Sequence, residues 1–380
     1  MYIHTVKAGE TLGEIAKLYD TTEERLKENN LICGELCEGR ELLILTPTRT
    51  HIRKAGESLE KIAKRFAVKT EDLILNNPSL SSLSEKEACE LAIKYGTPPY
   101  GAIAVNGYCY RGMRAERLKA FLPFLTYLTA SAYRIGRSGV ERIFNDRDIL
   151  RLAREKGKLA FMRVRDGSDG KRYQEAEYRR AIIRSVTDIS KSAGYCGAVL
   201  SCGGLRLKVK EVREFIRELW QDLGKMGLKL FLETDEETDG DFYGLCDGCI
   251  FIYDKAYLKE APSFESGEKA VLKKLSDQAE SSKVFIDLPS VGFDEKMNAL
   301  PQEAIFALGK NCTVTQDEGT LISEWHTASG RGRFTPLKNI KSRLDLVYAL
   351  GFGGVSIDLG SVTREYLMLI GASFSPIRFY

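Results

Sequence analysis

Two stretches near the beginning of the chain decide its organisation: residues 4–30 read HTVKAGETLGEIAKLYDTTEERLKENN, and residues 51–77 read HIRKAGESLEKIAKRFAVKTEDLILNN. Aligned without a gap at an offset of 47 residues, they are identical at 13 of 27 positions. The shared residues include a Lys-Ala-Gly-Glu string and a closing Asn pair. A fixed internal period of this length indicates a repeated structural unit. The chain therefore opens with two copies of one small module.

Each copy predicts a βααβ unit. A short strand ends at a glycine turn, after which Thr11 or Ser58 can cap the first helix. Apolar residues then recur at helical spacing: Leu12, Ile15, Ala16 and Tyr19 in the first copy, and Leu59, Ile62, Ala63 and Phe66 in the second. A second helix ends at the Asn pair, where we expect a left-handed backbone because Asn tolerates it. The runs at 41–44 and 90–93 predict the closing strands, so we assign 1–46 and 48–95 to the two modules.

This unit resembles the LysM module, and the strings AGETL, AGESL and GRELLIL carry the resemblance together with the Asn pairs. The resemblance implies binding of glycan that contains N-acetylglucosamine, either peptidoglycan or chitin. In that family the sugar lies between the first strand–helix loop and the loop after the second helix. The residues that the resemblance places there are Gly9, Glu10, Thr11, Leu12, Asn30, Leu31 and Ile32 in the first copy, and Gly56, Glu57, Ser58, Leu59, Asn77, Pro78, Ser79 and Leu80 in the second. The alternative is that these loops serve only as caps and turns.

After a Pro-containing linker at 96–101, eight apolar runs alternate with helical patterns. These runs lie at 101–108, 127–133, 159–164, 194–202, 228–234, 246–254, 282–290 and 351–359. Eight buried strands with helical crossovers predict an α/β fold, a (β/α)8 TIM barrel that occupies 96–380. The strand-like stretch at about 311–335 predicts a small α+β insertion before the last helix.

The barrel region resembles glycoside hydrolase family 18. GAIAVNGYCYRGM, DRDILRLAREKG, CDGCIFIYDKAY and VYALGFGGVSIDLG carry this resemblance in chain order. Two LysM-like modules, a Pro linker and a barrel in this order are similar to the spore cortex-lytic N-acetylglucosaminidases of endospore-forming bacteria. The resemblance implies a spore cortex or coat location and peptidoglycan as the ligand, with coat or cortex proteins as further candidate partners.

The catalytic motif of that family is D-G-x-(D/N)-x-D-x-E at the end of the fourth strand. Its Glu protonates the leaving oxygen, and the preceding Asp positions the substrate's own acetamide, whose carbonyl is the nucleophile. Here the carboxylate positions are occupied by Cys196, Val199, Ser201 and Gly203. Because a glycine cannot donate a proton, loss of the acid alone costs about 10²–10⁴ in rate. The sequence therefore predicts no catalytic residue in this strand and a barrel that is not an active glycosidase.

Other carboxylates follow predicted strands and could replace the missing acid. The fallback candidates are Glu233, Asp254 and Asp287, because barrel active sites form at the carboxyl ends of the strands. We also place Asn106, Tyr253, Asp254 and Asp358 at the barrel mouth. The alternative is that these carboxylates have structural roles or are solvated.

Composition excludes several classes of protein. The 56 basic and 53 acidic residues give a net charge of +3, which is too balanced for a nucleic-acid-binding surface. No apolar run approaches the roughly 20 residues of a membrane span, and the first residues lack the pattern of a secretory signal. Nine cysteines in 380 residues do not form a disulfide scaffold, so we expect synthesis in the cytoplasm with mostly free thiols. We expect neither a metal nor a cofactor.

The sequence thus predicts a peptidoglycan-binding, spore-associated protein whose degenerate barrel binds or docks without turnover. Two alternatives stay open. One is an active N-acetylglucosaminidase of cortex peptidoglycan with a displaced acid, and the other is an assembly scaffold that binds coat or cortex proteins.

Overall fold

The structure is a computed structural model that describes residues 1–30, 32, 34–77, 80, 88–167, 171–201, 210–253 and 263–378. It contains two small modules, a barrel of parallel strands and an antiparallel sheet inserted between the last two barrel strands. In the described part of the chain, no helix has the length and apolar character needed to cross a membrane.

Both modules have the predicted βααβ order. Their elements are β1 Tyr2–Thr5, α1 Leu12–Leu18, α2 Glu23–Asn29, β2 Glu41–Ile44, β3 Arg49–Arg53, α3 Leu59–Phe66, α4 Thr70–Asn76 and β4 Cys89–Lys94. The strands pair antiparallel, β1 with β2 and β3 with β4. The predicted caps are confirmed, since Thr11 accepts a hydrogen bond from Glu14 N and Ser58 accepts one from Lys61 N.

The predicted TIM barrel is confirmed. Its elements are β5 Ala102–Cys109, α5 Ala115–Phe121, β6 Tyr127–Ile135, β7 Val140–Arg142, α6 Arg147–Glu155, β8 Leu159–Arg165, α7 Ala176–Ala193, β9 Gly197–Ser201, α8 Lys210–Lys225, β10 Lys229–Thr234, β11 Gly248–Phe251, α9 Lys269–Gln278 and β12 Val284–Leu288. After the insertion follow α11 Leu337–Ala349, β18 Gly354–Asp358, α12 Arg364–Ser373 and β19 Ser375–Pro376. Strand β18 pairs with β5, and β5 pairs with β6, so hydrogen bonds close the barrel of eight parallel strands.

The interior of the barrel is layered. Apolar side chains fill its lower part: Ala104, Tyr108, Phe161, Val199, Phe231, Ile250 and Phe285. The intervening residues of the same strands point outward and pack on the helices. Because side chains alternate along a strand, the next inward positions after this layer lie towards the carboxyl ends of the strands. Polar residues occupy those positions and form the barrel mouth.

The insertion is larger than the stretch at 311–335 that the sequence indicated. It consists of β13 Val291–Asp294, β14 Ala299–Pro301, α10 Gln302–Phe306, β15 Thr313–Gln316, β16 Ser323–Thr327 and β17 Gly330–Phe334. These strands form a five-stranded antiparallel sheet in the order β14-β13-β17-β16-β15. Strands β13 and β14 have only four and three residues, too few to produce a recognisable alternation of apolar and polar residues.

The first module packs against the insertion and the barrel helices. Arg40 of this module forms a buried ion pair with Glu365 of α12 at 3.4 Å, and its guanidinium lies 3.9 Å from the centre of the Phe306 ring. Val314 N donates to Glu38 O at 2.8 Å. A Cβ on Gly39 would lie 1.8 Å from Val314 O, so only glycine fits this close approach. The module is thus tied to the rest of the chain by buried contacts.

Candidate functional site: the module loops and the barrel mouth

The turn before the first helix is built in the same way in both modules. Gly9 and Gly56 have φ of +72° and +76°, a region that favours glycine. Just beyond them, Glu10 Oε2 lies 2.8 Å from His4 Nε2 and accepts from Lys7 N, while Glu57 Oε2 lies 2.9 Å from His51 Nε2. Burial favours the neutral form of Glu10, but the hydrogen bonds from Lys7 N and His4 outweigh it, so its pKa is lowered. The two acids therefore brace the turns as carboxylates.

The Asn residues that end the second helices have a structural role. Asn30 is buried and donates to Leu26 O and Leu43 O, and Leu43 N donates back to its Oδ1 at 2.7 Å. Asn77 makes the same three bonds, with Leu73 O, Ala92 O and Ala92 N. Their φ angles of −127° and −135° correct the expectation of left-handed backbone. These bonds engage both side-chain amides within the modules, and the placement of Asn30 and Asn77 among the glycan contacts stays a prediction.

The other predicted loop residues have varied environments. Gly9, Thr11 and Gly56 are exposed, and Glu10, Glu57 and Ser58 are partly exposed. Three apolar residues, Leu12, Ile32 and Leu59, are partly buried against the module cores, and Leu80 lies inside the second core. Leu31, Pro78 and Ser79 lie outside the described residues. The accessible candidates for glycan contact are therefore mainly in the turns after β1 and β3.

Strand β9 carries part of the segment in which the sequence predicts a degenerate catalytic motif. Val199 belongs to the inner apolar layer, and Ser201 lies two residues further towards the mouth. Ala198 and Leu200 point outward into the helix-facing core. Of the positions at which the sequence comparison expects carboxylates, Val199 and Ser201 lie on the inward face of β9, Cys196 precedes the strand, and Gly203 lies outside the described residues. Cys196 is only partly buried, and burial raises the pKa of its thiol.

An ion pair spans the barrel interior beside Ser201. Arg163 of β8 and Glu233 of β10 form two parallel hydrogen bonds, Nε to Oε1 at 2.6 Å and Nη2 to Oε2 at 2.7 Å. Tyr108 donates its hydroxyl to Glu233 at 2.7 Å, and Arg163 also reaches the hydroxyls of Ser131 and Ser201 at 3.3 and 3.5 Å. The strands that carry Arg163 and Glu233 flank β9 on either side. The pair therefore lies over β9.

This pairing fixes the side chain of Glu233. Arg163 donates to both oxygens of Glu233, in the bidentate geometry that makes Arg–carboxylate hydrogen bonds strong and specific. Although burial opposes it, the charge of Glu233 raises the pKa of Arg163. Both oxygens of Glu233 are thus engaged by Arg163 and one also by Tyr108, and its role as a displaced acid stays a prediction.

Asp287 and Asp358 complete the described part of the mouth. Asp287 pairs with Ser356 in the ladder between β12 and β18, so Asp358 is the next inward position on β18. Burial, helped by the negative charges of Asp358 and Glu233, raises the pKa of Asp287 to about 7. Burial also raises the pKa of Asp358. Of the fallback acids, Asp287 has the electrostatic environment of a proton donor, and Asp254 lies outside the described residues.

The remaining predicted mouth residues lie lower or to one side. Asn106 is buried and bonds to Ser356 and Thr129 inside the barrel, at 3.0 and 2.6 Å. Tyr253 is buried under the guanidinium of Arg343, which lies 4.1 Å from its ring centre. Sequence reasoning missed Arg163 and Tyr108. The sequence contained a signal for Arg163, which follows Phe161 by two residues in an apolar strand. That spacing places both side chains on the same, inward face of the strand.

Comparison with known proteins agrees with this architecture. Residues 4–44 and 54–84 match the family model of the LysM domain. The chain carries two LysM domains. A search of the curated proteins found no match to the chain.

Solved structures with a similar fold include two that match this chain over nearly its full length. The spore cortex-lytic enzyme SleL of Bacillus megaterium QM B1551 is 15% identical, with a TM-score of 0.74 over 100% of this chain and 99% of the other. SleL of Bacillus cereus is 18% identical, with a TM-score of 0.75 over 99% and 98%. A chitinase from Chromobacterium violaceum ATCC 12472 is 16% identical, with a TM-score of 0.60 over 71% and 98%. At these identities the similarity shows the fold alone.

Proposed function

We propose that this protein binds peptidoglycan through its two LysM domains and that its barrel serves for binding or docking without hydrolysis. The first part is supported by the LysM match and by the exposed turns at Gly9 and Gly56. The second part depends on one observation. Above β9, where a family 18 glycosidase would carry its acid, the Arg163–Glu233 pair lies beside Ser201.

The proposed location is the spore cortex. Both SleL structures are described as spore cortex-lytic enzymes, and they match this chain over nearly its full length. Two binding domains on one chain raise avidity when a single glycan strand reaches both. A polymeric glycan such as cortex peptidoglycan suits this arrangement better than a short oligosaccharide.

Binding can be tested by co-sedimentation of the full chain with purified cortex and vegetative peptidoglycan. We expect soluble N-acetylglucosamine oligomers to compete for the protein, whereas glucose oligomers of the same length, which lack the acetamide group, do not compete. Equal competition by both sugars would contradict recognition of N-acetylglucosamine. Retention on cortex that neither sugar reduces would also contradict it and would favour docking on a protein partner.

A second candidate function is an N-acetylglucosaminidase with a displaced acid. It is favoured by the environment of Asp287, whose pKa of about 7 matches that of a general acid near neutral pH. Asp358 supplies a second carboxylate in the same mouth. This function requires turnover that disappears in Asp287→Asn, while the binding function requires glycan affinity that this substitution leaves unchanged.

A further inference from the structure

Two cysteines from distant parts of the chain meet where the first LysM domain contacts the insertion. Cys37 follows α2 in that domain, and Cys312 precedes β15 of the insertion. Both side chains are buried; Cys37 Sγ lies 3.9 Å from Phe306 O, and Cys312 Sγ lies 3.8 Å from Thr313 O. Together with Phe306, Val314 and Trp325 they belong to one small apolar core.

The backbone places the two residues at a separation that suits a disulfide. Glu38 and Thr313 form a parallel bridge, and Val314 N donates to Glu38 O at 2.8 Å. Cys37 and Cys312 each precede a residue of this bridge, so their Cα atoms lie at about the 5 Å spacing of neighbouring strands. Disulfides need Cα atoms roughly 4.4–6.8 Å apart and Cβ atoms that face each other.

The surrounding contacts hold this register. Gly39 lies against Val314 O so closely that no side chain fits, and Arg40 is anchored on Glu365 and on the ring of Phe306. A slip of one residue would remove all of these contacts. The pairing of the two cysteines therefore belongs to the docked arrangement of the domain.

We propose that Cys37 and Cys312 form a dithiol that a low-molecular-weight disulfide oxidises to a cross-link between the first LysM domain and the insertion. The proposal does not depend on the glycan specificity or on the activity of the barrel.

The chemistry is two successive thiol–disulfide exchanges. The Cys37 thiolate attacks one sulfur of the small disulfide, forms a mixed disulfide and releases one small thiolate. The Cys312 thiolate then attacks Sγ of Cys37, forms the Cys37–Cys312 bond and releases the second small thiolate. The two protons lost by the cysteines protonate the two released thiolates, so two protein thiols are oxidised and one small disulfide is reduced to two thiols.

The environment supports Cys37 as the first nucleophile. The neighbouring Cys312 lowers the pKa of the Cys37 thiol despite its burial, and the positive charge of Arg40 lowers it further. The thiolate is the reactive form in exchange. Because both sulfurs are buried, the reagent reaches them only when the segment around Cys37 separates from the insertion.

The experiment maps the disulfides of the full chain after incubation with oxidised glutathione. The oxidised protein is alkylated, digested under non-reducing conditions and analysed by mass spectrometry. Cleavage after Glu35 separates Cys33 from Cys37, so the two are assigned independently. We expect a fragment containing Cys37 joined to one containing Cys312, which reduction releases. A bond between Cys37 and Cys33, or Cys37 recovered free or bound only to glutathione, would overturn the proposal.

Matched variants sharpen the result. Cys37→Ser and Cys312→Ser should each abolish the linked fragment, and Cys33→Ser should retain it. Cys246 and Cys249, whose sulfurs lie 3.3 Å apart in the barrel, are a comparison pair that cannot link the domain to the insertion. Oxidation should also raise the thermal midpoint of the wild type. It should not raise the midpoint of the double variant Cys33→Ser/Cys312→Ser, in which Cys37 has lost its proposed partner. If either single variant fails to fold, the fragment map of the wild type decides the question alone.

Discussion

At the scale of single residues, the two asparagines of a pair occupy adjacent positions in the motif but have different structural roles. Asn77 uses its amide to join α4 to β4 through three bonds, whereas the neighbouring Asn76 donates one, to Ile93 O at 3.1 Å. Two adjacent residues of the same type therefore have different structural importance. Sequence alone places both at a helix end but does not show which side chain turns inward.

Replacement of these two residues tests that difference. Asn77→Ala removes the buried hydrogen bonds that the amide makes with Leu73 O and with the N–H and carbonyl of Ala92, and we expect a loss of about 2–4 kcal/mol in the free energy of unfolding. Asn76→Ala is the matched control and should cost about 1 kcal/mol or less. Denaturant unfolding of the full chain measures both. Equal losses would contradict the assigned role of Asn77.

Asp287 predicts a dependence of stability on pH. Its folded pKa of about 7 lies above the ordinary value of 3.8, so the folded protein binds this proton more tightly than the unfolded chain. The resulting contribution to stability is complete below about pH 3.8 and is lost as the pH rises to about 7.

Comparison of the wild type with Asp287→Asn isolates that contribution. The difference in unfolding free energy between the two proteins should shift in favour of the variant as the pH rises from 4 to 7, and should level off above that. A difference that is constant with pH, measured by denaturant titration in matched buffers, would show that Asp287 does not titrate in this range.

At the scale of elements, strands β8, β9 and β10 explain the proposed loss of activity. Ser201 on the central strand is short, and the space above it is crossed by the bond between the two neighbouring strands. Glu233 is 6% exposed, and its carboxylate accepts hydrogen bonds from Arg163 and Tyr108. This arrangement could not be read from the sequence, because the two residues are 70 positions apart and lie on strands that do not pair with each other.

Removal of the arginine should therefore be costly. Arg163→Leu leaves a buried carboxylate without its counter-charge, and we expect a loss of about 3–5 kcal/mol in unfolding free energy. The control is Arg151→Leu, which breaks an exposed pair with Glu155 on α6 and should cost no more than about 0.5 kcal/mol. Similar small losses in both variants would contradict the structural role of the Arg163–Glu233 pair.

The elements also show what sequence patterns can predict. Strands buried on both faces read as continuous apolar runs, so all eight barrel strands were predictable. The capping roles of Thr11 and Ser58 were predictable because they depend on neighbours three residues away. By contrast, the short strands β13 and β14 and the contact between Cys37 and Cys312 depend on distant partners, which local patterns do not contain.

At the scale of the whole molecule, the LysM domains are parts of one packed body with the barrel. Arg25 of the first domain bonds to Asn77 of the second at 3.3 Å, and Arg378 near the end of the chain pairs with Asp72 at 2.8 Å. Glu41 accepts a hydrogen bond from Lys338 N at the start of α11. Glycan held by the domains would therefore be presented to the barrel in a defined orientation.

The central claim is that this assembly binds peptidoglycan without cleaving it, and turnover tests it most directly. The full chain would be incubated with cortex peptidoglycan, vegetative peptidoglycan and N-acetylglucosamine oligomers, and the released fragments and new reducing ends followed by mass spectrometry. We expect no product from any of them, together with co-sedimentation of the protein on the insoluble glycans. Product that accumulates with the wild type and disappears with Asp287→Asn would contradict the claim and would assign the acid to Asp287.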